Sequence, residues 1–149
     1  MQLWLNYVAF LPMPVILVGL YAVQRPRSSY FGLLGGILYG FAFIYFAHTT
    51  MYALAASVNT YEQLWAQLGW IYTFHGALMI LGGGMFGIDT VRAGVLPSWA
   101  ARLFLIGIVV NLVVALLPVP DLLQTIGTTI RNVGLIGMGL GLILRRNAQ

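Results

Sequence analysis

Five apolar runs, broken by four short polar stretches, divide this sequence of 149 residues. A spanning helix needs about 20 predominantly apolar residues, because each residue rises 1.5 Å and the hydrocarbon core of a bilayer is about 30 Å thick. Such runs occupy roughly residues 3–23, 30–56, 66–91, 99–117 and 122–144. Hydrophobic residues make up 60% of the chain and charged residues 7%, against about 25% charged in a soluble domain. A surface so poor in charge would not stay in water, so lipid must cover much of it. The expected fold is an all-α integral membrane protein, a single bundle of five transmembrane helices over residues 1–149. The lipid bilayer is its first partner.

The basic residues orient the bundle. All seven are arginines, and six stand at predicted helix ends. Arg25 and Arg27 lie in the first connection, Arg92 and Arg102 flank the third, and Arg145 and Arg146 follow the fifth run. The second and fourth connections hold none. Cytoplasmic loops carry the excess of arginine. The N-terminus is therefore expected outside and the C-terminus in the cytoplasm, in a cell membrane of bacterial inner-membrane type. The net charge of +4 reports this orientation and not a nucleic-acid surface. No positive region precedes the first run, so it reads as a span and not as a cleavable signal.

Several chemistries are closed to the chain. Without cysteine there is no thiol–disulfide exchange, thiolate metal site or iron–sulfur cluster. Without lysine there is no Schiff-base cofactor. Three acidic residues are too few for a multi-carboxylate metal site or a long proton relay. The serines Ser28, Ser29, Ser57 and Ser98 fall at helix ends without a His–carboxylate partner, which disfavours a hydrolase.

Local signals refine the spans. Pro12 and Pro14 predict a kink in the first helix. Gly32, Gly36 and Gly40 in the second helix, Gly69, Gly76 and Gly83 in the third, and Gly134, Gly137, Gly139 and Gly141 in the fifth predict faces for close helix contact. The stretch 58–65, with Tyr61, Glu62 and Trp65, suits a lipid–water interface. Asp89 and Arg92 are one turn apart, a spacing that lets them pair, though an exposed pair contributes little. Ser98 and Asp121 are expected N-caps. No internal repeat is visible, which disfavours a two-fold transporter.

Ionisable groups at bilayer depth are expensive and mark functional sites by default. At 1.5 Å per residue, His48 lies roughly 12 Å in from the outer end of its helix, His75 roughly 13 Å, Asn111 roughly 9 Å and Arg131 roughly 15 Å. Four helices thus place polar groups in the outer half of the membrane, while the inner halves are mostly Gly, Leu, Ile and Val. In the fifth helix Asp121, Gln124, Thr128 and Arg131 follow 3–4 spacing and share a face, bordered by Thr125 and Asn132. Such a stripe must face protein, water or a ligand. Tyr45, Thr49 and Tyr52 surround His48, and Tyr72 stands one turn from His75. The expectation is an outward-facing pocket formed by His48, Tyr52, His75, Asn111, Gln124, Thr128 and Arg131.

Two short resemblances accompany this reading. The run from Arg92 to Ala100 resembles a loop of many small bacterial membrane proteins and implies no activity. His75-Gly76-Ala77-Leu78-Met79 is loosely similar to the haem-ligand helix of haem–copper oxidases, whose other motifs are absent.

Three functional readings follow from the residues. In the first, His48 and His75 ligate haem b axially with Arg131 on a propionate, or His48, His75 and Tyr52 hydrogen-bond a quinone headgroup. In the second, His48 with Met51 and His75 with Met79 form a nitrogen–sulfur set suited to Cu(I). In the third, the chain is an accessory subunit of a larger membrane complex or a homo-oligomer, docking through glycine faces. An enzyme acting on a lipid or isoprenoid, with His48 or His75 as base, remains open.

Overall fold

The computed structural model describes residues 2–58, 61–117 and 121–146, without the side chains of residues 2, 3, 61, 62, 121, 122, 124, 145 and 146. The described residues are all-α: α1 (Gln2–Phe10), α2 (Met13–Ala22), α3 (Tyr30–Ala55), α4 (Tyr61–Leu68), α5 (Trp70–Ala93), α6 (Ser98–Ala115) and α7 (Asp121–Arg146). Five segments are long and apolar enough to cross a membrane, with α1 and α2 together making the first. The outer surface fits that reading: Val15, Phe41, Leu81, Ile106, Ile136 and Leu140 are all exposed. The chain is a multi-pass membrane protein.

The first span breaks at Leu11 and Pro12, where the two helices meet. Pro14 then occupies the first turn of α2, where its missing N–H is not needed. The third span begins at Trp70 and not at Ala66. Ala66 belongs to α4, a short helix whose Leu64 packs on Ala53, Val58 and Tyr72. Gly69 separates α4 from α5 at φ 52° and ψ −125°, a conformation essentially closed to residues with a Cβ.

The spans follow one another around an arc in chain order. The first packs on α3, α3 on α5, α5 on α6, and α6 on α7. Glycine sets the two most extensive contacts. A Cβ on Gly35 would collide with the backbone of Phe86, and one on Gly82 with the backbone of Tyr39, so α3 and α5 touch main chain to main chain. Gly107 and Gly134 do the same between α6 and α7. The heptad stripe expected in the third span is not one surface: Gly69 is the helix break, Gly76 meets nothing, and Gly83 packs on Ile108 and Tyr39. The core of Leu17, Tyr39, Phe86, Ala100, Phe104 and Met138 fills the arginine-bearing half.

Asp89 sits at that end and does not serve as a partner for exposed Arg92. Its buried carboxylate accepts from Ser28 Oγ, from Ser29 Oγ at 2.5 Å, and from the Ser29 backbone N–H at 3.2 Å. Ser29 is the N-cap of α3 and makes no side-chain cap bond of its own. The carboxylate thus supplies the acceptor and the negative charge that a helix N-terminus favours. Gly32 leaves room for it, because a Cβ there would fall on the Asp89 side chain. Sequence spacing pointed to Arg92 because it counts neighbours along one helix, whereas the partner is on another.

Candidate functional site: a polar cavity between five spans

In the half away from the arginine-bearing loops the arc does not close. A cavity of about 560 Å³ lies between the first span, α3, α5, α6 and α7. Its walls are mainly apolar and aromatic, including Phe10, Phe43, Phe46, Ile80 and Leu135, with polar groups from four helices among them. That combination and size are typical of a small-molecule site.

Arg131 is the centre of its charge. The side chain is 4% exposed. Its Nη1 donates to the Met79 thioether at 2.8 Å, and its guanidinium carbon lies 5.9 Å from the ring centroids of Tyr39 and of Phe43. Nε has no partner. Among the described residues no carboxylate pairs with it. Each aromatic contact returns about 0.5–2 kcal/mol, and a thioether is a weak acceptor. Burying an ion costs several kcal/mol even after relaxation. The described residues alone therefore leave this cation under-compensated.

Asn111 on α6 is 7% exposed, and neither its Nδ2 nor its Oδ1 has a partner. A buried amide left in this state costs about 1–3 kcal/mol. His75 on α5 is 2% exposed, held edge-on between the rings of Phe46 at 4.3 Å and Tyr72 at 4.6 Å. Its Nδ1 makes no aligned hydrogen bond, although the Ile71 carbonyl one turn back interacts with the ring. Thr128, one turn before Arg131, is half-buried, and Thr125 and Asn132 complete the α7 wall.

The structure brings together His75, Asn111, Thr128 and Arg131. It does not bring in His48, which is exposed, donates through Nδ1 to the Ile44 carbonyl at 3.2 Å, and lines a second cavity of about 220 Å³ with Tyr7, Leu11 and Met51. Phe10 and Phe43 line both cavities, their rings 5.5 Å apart, and form the shared wall. Tyr52 is exposed and lines neither cavity. The side chains of Gln124 and Asp121, and with the latter the expected cap, are not among the described side chains. Matched depth along α3 and α5 thus did not mean matched direction.

This arrangement bears on the metal readings. Axial haem ligation by two imidazoles needs both rings on one macrocycle, and these two open on different cavities. The four-ligand copper set is split in the same way, Met51 with His48 and Met79 with His75. The Met79 sulfur, moreover, already faces a cation. Among the described residues no group of three His, Asp or Glu stands close enough to share a metal ion.

Sequence reasoning missed Asn6, Tyr39 and Phe43. Asn6 lines the cavity from α1, and the available signal was a lone amide inside an apolar run. The two aromatics carried no signal, because rings under a cation look like core until the neighbouring helix is placed. Comparison of the chain with protein families, curated proteins and solved structures finds no match.

Proposed function

We propose that this protein binds a small amphiphilic molecule in the membrane, with its head among Arg131, Asn111, His75 and Thr128 and its apolar part against the aromatic and aliphatic walls. The N-terminal end of the bundle is the outward one in a cell membrane, by the arginine distribution. The observation that carries the reading is the cluster of unused donors around Arg131 and Asn111, two side chains more than nine-tenths buried on one cavity. A ligand head rich in acceptors offsets that cost, and a tail satisfies the apolar lining. An isoprenoid quinone is one class with such a head, its two carbonyls accepting hydrogen bonds.

The test is direct. Protein purified in mild detergent is extracted with organic solvent, and the extract is compared by mass spectrometry with that of an Asn111→Leu variant. A lipophile present at near one per chain, and depleted in the variant, is the expected result. A chain that carries none, and that takes up neither a quinone analogue nor a charged lipid after reconstitution, overturns the reading.

A further inference from the structure

Charge balance narrows the class of ligand; this step rests on the amphiphile reading above. Arg131 is the one arginine set away from the helix ends in sequence. Its surroundings, a thioether and two rings, carry no formal charge. The carboxylate of Asp89 is taken up by Ser28 and Ser29 at the other end of the bundle. Asp121 stands ten residues earlier on the same helix, about 15 Å along the axis. A guanidinium Nε without an acceptor and an amide without partners, lining one cavity, form a donor set for an oxyanion.

The cavity also has a side opening. Ala9 on α1 and Thr125, Asn132 and Ile136 on α7 line it and are exposed. Neither half of the first span packs extensively on α7; the first span is held by α3 and α7 by α6. The gap between the first and last spans therefore opens where lipid would lie. We propose that the ligand head is anionic, a phosphate or carboxylate borne on an apolar chain, and that it reaches Arg131 from within the bilayer through this gap.

The test uses the full chain in phosphatidylcholine nanodiscs and four probes: farnesyl phosphate, farnesol, decylubiquinone and inorganic phosphate. Farnesyl phosphate is expected to bind about tenfold or more tightly than farnesol, with excess inorganic phosphate failing to displace it. Arg131→Gln is expected to bring that ratio close to one. The comparison of heads in the unaltered protein stands even if the variant misfolds. Equal binding of farnesyl phosphate and farnesol overturns the anionic head while leaving an amphiphile site. Preference for decylubiquinone over farnesyl phosphate does the same and names the neutral class. Displacement by inorganic phosphate overturns access from the bilayer in favour of a soluble anion. Binding of none of the four overturns both this inference and the reading beneath it.

Discussion

Gly107 on α6 lies directly against the backbone of Arg131 on α7, and one turn further along α6 Asn111 lies against Gly127 of α7. Each helix thus offers a glycine to the polar residue of the other. The two buried polar groups come from antiparallel helices, one turn apart, with main chains close enough to deliver both to one cavity.

A methyl group at Gly107 would collide with Arg131 N, Cα and Cβ. Backbone cannot step aside as a flexible side chain can. Gly107→Ala is therefore expected to destabilise the protein by about 1–3 kcal/mol and to weaken ligand binding as well. Thermal unfolding in detergent measures the first effect. Gly139→Ala, where an added Cβ meets nothing, is the control, expected to leave the transition in place or raise it slightly.

Asp89 separates two accounts of the arginine-bearing end. Asp89→Ala leaves the Ser28 hydroxyl and the Ser29 N–H at the start of α3 without their acceptor. A loss of about 1.5–3 kcal/mol is expected, as for hydrogen bonds to a charged group. Arg92→Ala, on an exposed side chain, should change stability by less than about 0.5 kcal/mol. Equal losses in the two variants would restore the intrahelical pair suggested by their spacing.

The two histidines should behave differently. His75→Leu removes a ring nitrogen from the cavity and is expected to lower ligand occupancy, whereas His48→Leu, across the Phe10–Phe43 wall, should leave it unchanged. Occupancy can be read from the co-extracted lipophile. A low-spin haem spectrum lost equally in both variants would contradict the placement of these rings.

Arg131 should show a trade between stability and binding. Replacing a buried charged group by an apolar one of similar volume is often neutral or stabilising, by about 1–4 kcal/mol for ion pairs. Arg131→Met in delipidated protein is expected to raise the unfolding temperature, and added ligand should no longer stabilise it. Ligand added to the unaltered protein should stabilise it in proportion to its concentration over Kd. A lower unfolding temperature for the delipidated variant would show that Arg131 holds the fold through Met79 and the two rings.

Much of this molecule was legible without coordinates because the relevant quantities run along the chain. Span number follows from length and apolarity, and α3, α6 and α7 lie close to the expected ranges. Depth follows from a fixed rise per residue, which is why His75, Asn111, Thr128 and Arg131 could be assigned to one half of the bundle. The stripe on the fifth helix was visible because that helix has polar residues at 3–4 spacing. The break at Gly69 was less visible, since Ala66, Leu68 and Trp70 continue the apolar pattern across it.

Direction around each helix axis was not legible in α3 and α5. In water, the buried face of a helix is its apolar face. In lipid, the outer face is apolar too, so a helix rich in Phe, Leu, Ile and Gly gives no reference from which to measure rotation. His48 and His75 could be counted to nearly equal depth, and nothing in their neighbours said which way either ring turned. The backbone contact of Gly35 and Gly82 with the facing helix fixed that rotation, turning His75 into the cavity and His48 away from it. The same contacts between separate helices gave Asp89 to Ser28 and Ser29, and set Arg131 beside Met79, Tyr39 and Phe43. Composition and spacing along the chain therefore gave the spans and the depth of the polar groups, and contacts between chain-distant residues chose their partners.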